Sequence, residues 1–272
     1  MSPERLRQLL SAVAHGQLDV DDAIQSLADL PFGDLGHTLL DHHRELRQGV
    51  PETIYGAGKS SQQIQEILVA AYARHGRAIA TRVSDAAAAE ILQHVPAAVY
   101  DPQSRLLRLG DLPSAPEGGP LALVLCAGTS DLPVAEECAQ TLHFFGHKVQ
   151  RLTDVGVAGL HRLLVHLDTI RAADVIVAIA GMEGALASVV GGLADCPVIG
   201  VPTSVGYGVG TGGHAALHAM LSSCAAGVGV MNIDNGHGAA ILAHQILRRV
   251  QPKAERRSIL QPTTPAATPK EL

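Results

Sequence analysis

Five apolar runs recur through the second half of the chain, at residues 121–125, 148–152, 174–180, 197–201 and 227–231, the second being the weakest. Each is followed by a segment of helical length: roughly 130–145, 158–171, 184–194, 212–222 and 236–249. Continuous apolar strands alternating with helices predict a parallel sheet covered on both faces. The pattern therefore predicts one doubly wound α/β domain, and such sheets bind ligands outside the carboxyl ends of their strands.

The first half patterns differently. Leu6, Leu9, Leu10 and Val13 follow a helical period, and Asp19 with the acids after it opens a second helix carrying Ala23, Ile24 and Leu27. Ser60 or Ser61 caps a third helix bearing Ile64, Ile67, Leu68 and Ala71. Segments 53–55, 78–81 and 105–109 read as short strands. The expectation is a smaller, mostly helical N-terminal α/β domain.

Composition sharpens the boundary. Residues 1–120 hold ten glycines and residues 121–250 hold eighteen. The stretch Pro113-Ser-Ala-Pro-Glu-Gly-Gly-Pro120 lies at this change and reads as a linker. The division is thus an N-terminal domain over 1–118 and a second domain over 119–250, with a proline-rich, disordered tail over 251–272. From Cys196 to Ile233 there is no charged residue, but glycines at 206, 208, 210, 212 and 213 break any spanning helix. That run reads as sheet interior, so no membrane is expected. A net charge of −6 gives no electrostatic case for nucleic acid. The four cysteines form no metal or redox spacing and no signal-peptide pattern is present, so reduced thiols in the cytoplasm are expected.

The candidate chemistry stands at the strand ends. The first strand runs into Cys126-Ala-Gly-Thr-Ser-Asp131, which either binds an anion at a helix N-terminus or merely caps that helix. The third ends in Ala180-Gly-Met-Glu-Gly-Ala185. Its Glu183 is the one charged side chain between Asp174 and Asp195. Set among Gly, Ala and Val, it is a candidate proton acceptor, or else a solvated first-turn acid. The fourth strand opens a glycine-rich loop, 200–213, that matches neither a Walker A motif nor a dinucleotide fingerprint, yet lets backbone amides approach a ligand. Cys224 precedes the fifth strand, where it is expected near the ligand-binding edge as a reactive thiol or a small buried hydrophobe. The fifth strand ends in Asn232, Asp234 and Asn235, of which an N-cap accounts for one.

Taken in order, Gly128-Thr-Ser-Asp131, Asp154-Val-Gly-Val-Ala-Gly-Leu-His-Arg162, Ala180-Gly-Met-Glu-Gly-Ala-Leu186, Gly200-Val-Pro-Thr-Ser-Val-Gly-Tyr-Gly208 and Asn232-Ile-Asp-Asn-Gly236 strongly resemble the LarB family. Tyr55-Gly-Ala-Gly-Lys-Ser60 extends the resemblance into the first domain. These are pyridinium-3,5-biscarboxylic acid mononucleotide synthases of nickel-pincer nucleotide biosynthesis. Their C-terminal domain is similar to the phosphoribosylaminoimidazole carboxylase/mutase fold.

The resemblance implies carboxylation of nicotinic acid adenine dinucleotide at ring C5, with CO2 or bicarbonate as co-substrate, and phosphoanhydride hydrolysis that releases AMP. It implies Cys224 as the ring-attacking nucleophile and Glu183 as the active-site glutamate. Substrate contacts are implied at Gly128, Thr129, Ser130, Asp131, Asp154, His161, Arg162, Gly181, Met182, Thr203, Ser204, Tyr207, Gly208, Asn232, Asp234 and Asn235. It further implies a symmetric homo-oligomer and no tightly bound cofactor, with Mg2+ an optional aid to phosphoanhydride cleavage. Lys59 reaches an adenylate phosphate or is simply solvated. His214, His218 and His237 stand where the family commonly has apolar residues; a metal site there lacks a supporting carboxylate. The alternatives are a purine-pathway aminoimidazole ribonucleotide carboxylase/mutase and a non-catalytic nucleotide sensor.

Overall fold

A computed structural model describes residues 3–27 and 32–250. The tail read as disordered lies outside the described residues.

The first part opens with helices α1 (Pro3–Ala14) and α2 (Val20–Leu27), a hairpin of β1 (Phe32–Asp34) and β2 (Leu39–Asp41), and a short α3 (Arg44–Gln48). Then come β3 (Ile54–Tyr55), α4 (Ser61–His75), β4 (Ala78–Thr81), α5 (Asp85–His94), β5 (Val99–Asp101) and β6 (Leu106–Leu109). The last four strands form a sheet of order β3-β4-β6-β5, parallel only between β3 and β4.

Local chemistry sets the limits of α4. The Ser60 hydroxyl accepts from Gln63 N, and the Gln63 side chain accepts from Ser60 N, a reciprocal cap that satisfies two otherwise orphaned amides. The helix stops at Gly76, which takes the left-handed conformation and returns its amide to Tyr72 O. Ile64, Ile67, Leu68 and Ala71 then fall on one face and bury against Ala78, Ala80, Leu107 and Leu109. Strand alternation sends Ile79 and Leu106 the other way, where they meet Phe144 and Phe145 of the second part.

The second part contains β7 (Leu121–Cys126), α6 (Leu132–Phe144), β8 (Lys148–Leu152), α7 (Leu160–Leu164), α8 (Leu167–Ala172) and β9 (Val175–Ala180). It continues through α9 (Ala185–Leu193), β10 (Val198–Pro202), α10 (His214–Leu221), β11 (Val228–Val230) and α11 (Gly236–Leu247). Its five strands are all parallel, in the order β11-β10-β9-β7-β8. This is the doubly wound sheet that the apolar runs predict; the single helix expected over 158–171 is divided into α7 and α8.

Alternation explains why both faces are covered. Val175, Val177 and Ile179 of β9 join the cluster under α6 and α11, while Ile176, Ala178 and Ala180 join the cluster under α7 to α10. All six are buried, and each Val or Ile contributes roughly 1.5–3 kcal/mol of burial. Helices α6 and α11 approach closely through small residues: a Cβ on Gly236 would lie 2.3 Å from Val134 O. In this strand order the crevice opens between β7 and β9, the first and third strands of the sheet in sequence.

Candidate active site

One carboxylate ties three strand ends together. Beyond β7, Gly128 donates its amide to Asp131 Oδ2 at 3.0 Å, while Asp131 Oδ1 accepts the Thr203 hydroxyl at 2.6 Å. Gly181, after β9, donates a further amide to the same side chain. Burial pushes the Asp131 carboxyl above its ordinary range, and these three donors pull it back. Thr203 is fully buried. Both residues were expected to contact substrate; their polar atoms hold the scaffold of the crevice.

Glu183 rides on the turn after β9. Met182 stands at φ 54 and gives its amide to Val205 O, and Gly184 at φ 67 returns its own to Gly181 O. A Cβ on Gly181 would lie 2.2 Å from Val205 O, so this position requires glycine. The turn presents Glu183 exposed at the rim, not walled in by the apolar neighbours the sequence suggests. Beneath it lies a cleft of about 260 Å³ that includes Gly128, Ser130, Asp131, Arg162, Met182 and Glu183. Arg162 pairs with Asp154 at 2.5 Å. This places a carboxylate and a guanidinium on one cleft, beside Gly128, Gly156 and Gly181.

A second cleft, of about 340 Å³, opens between the small sheet and the carboxyl edge of the large one. It shares Ser130 and Val205 with the first. Arg82, Arg105, Glu137, Ser204 and Asp234 also line it. Asp234 accepts Ser204 N on Oδ1 at 2.8 Å, and its main-chain carbonyl accepts from Arg82. Arg82 also faces the buried Glu137 at 3.7 Å. Burial raises the Glu137 carboxyl, and Arg82 and the His237 and Gly236 amides oppose that shift. Sequence reasoning missed Arg82, Arg105 and Glu137, because nothing in their local pattern separates them from solvated charges.

Backbone conformation picks out the same region. Among the described residues, the non-glycine residues at positive φ are Arg82, Arg105, Asp154, Met182 and Asp234. Four line one of the two clefts, and the fifth pairs with Arg162. Each such residue costs on the order of 1 kcal/mol or more, and strain of this kind gathers where a site must hold its shape.

Other expected residues fall elsewhere. Asn235 caps α11 through Gly238 N, and the Asn232 side chain accepts from Ile233 N. His161 and Thr129 are exposed. Tyr207 and Gly208 sit on a protruding loop in which Tyr207 is 77% exposed. Lys59 donates its ammonium to Tyr55 O.

The placement of Cys224 corrects an expectation. It follows α10 and precedes β11, and helix α10 has by then carried the chain back to the amino edge of the sheet. Neighbouring Ser223 bonds Ser188 within α9, and a Cβ on Gly191 would touch Ala225 at 3.0 Å. Five to eight residues of chain separate Glu183 from that level, about 10 Å at the helical rise. Cys224 is exposed and lies outside the cleft that holds Glu183. A residue just before a parallel strand stands at the edge opposite the ligands.

The three histidines do not converge. His237 lies beside Thr141 between α11 and α6, with its ring pushed down to about 4 by burial, whereas His214 and His218 are exposed on α10, across the sheet. Among the described residues no group of three His, Cys, Asp or Glu has the geometry to hold a metal. No helix among the described residues is long and apolar enough to cross a membrane.

Comparison with known proteins yields two family matches. Residues 32–111 match the LarB/PurE-like N-terminal domain, and residues 121–261 match AIR carboxylase. An uncharacterised protein of Methanocaldococcus jannaschii is 37% identical over 254 residues, covering 90% of this chain and 98% of its own. The N5-carboxyaminoimidazole ribonucleotide mutase of the same organism is 35% identical over 131 residues, 46% of this chain and 76% of the mutase. Crystal structures of Treponema denticola PurE and of a PurE2 variant share 22% and 23% identity, with TM-scores of 0.39 and 0.40. Each covers 52% of this chain and 91% of its own.

Proposed function

Because the chain belongs to the LarB family, with an AIR carboxylase domain at its C-terminal end, we propose that it carboxylates nicotinic acid adenine dinucleotide at ring C5. The same protein cleaves the phosphoanhydride with water, giving pyridinium-3,5-biscarboxylic acid mononucleotide and AMP. The observation that carries this reading is the turn that sets Glu183 on the rim of a cleft whose floor is glycine-rich backbone and whose wall bears Arg162.

The chemistry requires a nucleophile that also leaves. A pyridinium ring is electron-poor and does not attack CO2. Addition of the Cys224 thiolate breaks aromaticity and leaves an enamine-like dihydropyridine, nucleophilic at C5. That carbon bonds to CO2, the Glu183 carboxylate takes the C5 proton, and the electrons of the broken C–H bond restore the ring as the thiolate departs. Arg162 holds a phosphate or carboxylate of the substrate beside the crevice.

Since Cys224 stands outside the cleft of its own chain, the thiol that attacks a ring bound beside Glu183 belongs to a second copy. The working form is accordingly a symmetric homo-oligomer. We place it in the cytoplasm, in keeping with four free cysteines. It uses CO2 or bicarbonate as co-substrate and no tightly bound cofactor.

A second reading is supported by the similarity to the mutase: the second domain alone acting as an aminoimidazole ribonucleotide carboxylase, or as a mutase of the N5-carboxy form. That reading leaves the first domain and Cys224 without a role. The deciding experiment gives the purified chain the dinucleotide with bicarbonate and, separately, the aminoimidazole ribonucleotide with bicarbonate and in its N5-carboxy form. Turnover of the dinucleotide, lost in Cys224→Ser, supports the first reading. Turnover of the aminoimidazole ribonucleotide alone, retained in Cys224→Ser, replaces it with the second.

A further inference from the structure

The first cleft is too small for the whole dinucleotide. At about 260 Å³ it falls just below the roughly 300–1,000 Å³ of sites that bury one drug-sized ligand, and a dinucleotide carries two nucleotides. The second half therefore needs its own seat within reach of the first. We propose that the cleft between the small sheet and the carboxyl edge of the large sheet binds the adenosine 5′-monophosphate half of the substrate, the nicotinate half lying beside Glu183. This inference rests on the dinucleotide reading above.

Three observations converge. The two clefts meet at Ser130 and Val205, so a phosphoanhydride crossing between them passes the Ser130 hydroxyl. Arg105, on the wall from the small sheet, is exposed. Among the described residues it makes no ion pair, and its guanidinium reaches only Arg82 O, at 3.5 Å. The other charges of the cleft are already engaged: Arg82 faces Glu137, and Asp234 Oδ1 takes the Ser204 amide. The unmatched charge is one guanidinium, and a phosphate is its complement. Asp234 keeps acceptor capacity for ribose hydroxyls, since a carboxylate offers about four acceptor sites.

The assignment gives the first domain a task. Ala57, in the Gly56-Ala-Gly58 turn, and Arg105 both come from it, while Ser130, Ser204 and Asp234 come from the second. Neither part alone builds the cleft.

The test is calorimetric titration of the full chain with AMP and, separately, with nicotinic acid mononucleotide. The variants are Arg105→Asn, which tolerates the left-handed backbone, and Ala57→Leu, which fills the cleft from the opposite wall. AMP binding is expected to weaken about tenfold or more in Arg105→Asn and to be blocked in Ala57→Leu. Mononucleotide binding stays as in wild type. The inference is overturned if wild-type protein binds no AMP, if both variants bind it as wild type does, or if mononucleotide binding falls in parallel. Turnover of the dinucleotide by wild-type protein is measured alongside. Turnover without these AMP effects removes this inference alone, whereas absence of turnover removes the reading on which it rests.

Discussion

The Arg82 guanidinium donates to the main-chain carbonyl of Asp234 at 2.6 Å, and both residues hold left-handed backbones, at φ 55 and φ 56. Arg82 follows the small sheet's β4, and Asp234 follows the last strand of the large sheet. The bond thus links the two parts of the chain where the second cleft opens, and through Asp234 it fixes the Ser204 amide.

Arg82→Ala leaves that carbonyl and the buried Glu137 carboxylate without their cation. A loss of about 2 kcal/mol is expected, the range for hydrogen bonds to charged groups. Arg82→Lys recovers little, because a single ammonium does not reach both partners as the fork does. Urea unfolding measures both. A midpoint for Arg82→Ala equal to wild type would show that the contact carries no stability.

Asp131→Asn places an amide where the Gly128 N–H already points, so one donor loses its acceptor. The expected cost is about 1–3 kcal/mol. A double-mutant cycle of Asp131→Ala with Thr203→Val should return a coupling of about 1 kcal/mol for the 2.6 Å bond. Strict additivity of the two variants would mean that the bond does not tie β7 to β10.

Gly181→Ala puts a Cβ 2.2 Å from Val205 O and forces the Glu183 turn to move. A small misplacement of a catalytic group costs on the order of a hundredfold in rate. The variant should keep its far-ultraviolet dichroism while kcat falls steeply. Unchanged kcat would separate Glu183 from the reaction.

Acid sensitivity has a defined window. Burial lowers His244 to about 3 and its partner His147 to about 4, from an ordinary value of 6.5. The native chain therefore binds fewer protons than the unfolded chain between those limits. The stability from keeping these rings neutral is fully present above pH 6.5 and is lost as pH falls toward 4 and below. His244 already packs against Phe145, with ring centroids 5.1 Å apart, so His244→Phe should fold and flatten the pH slope of the urea midpoint. An unaltered slope would assign the acid response to other groups.

The large sheet was legible because Val175–Ala180 is apolar at every position, which only a strand covered on both faces tolerates. Glu183 was legible as the one charge in an apolar stretch. Asp131 was visible as a residue but not as a tie, since Thr203 lies far away in sequence. Arg82 and Arg105 gave no signal at all: a left-handed backbone at a non-glycine residue leaves no mark in composition or periodicity. Cys224 comes from the family resemblance alone, and its expected place at the ligand edge fails because standing before a parallel strand puts a residue at the amino edge.

If the nucleophile comes from a second copy, two inactive variants should repair one another. Cys224→Ser and Glu183→Gln, each inactive alone, should recover about a quarter of wild-type activity when co-expressed and randomly mixed in one symmetric oligomer. Absence of any recovery, with mixed oligomers demonstrated by mass, would place both groups in one chain's site.

The central claim is that a carboxyl group is added to the pyridinium ring while the phosphoanhydride is cleaved. Mass spectrometry after incubation with nicotinic acid adenine dinucleotide and isotopically labelled bicarbonate tests it most directly. The account predicts one labelled carboxyl per mononucleotide product, with AMP formed in equal amount. AMP without label in the mononucleotide, or unchanged dinucleotide, would contradict it.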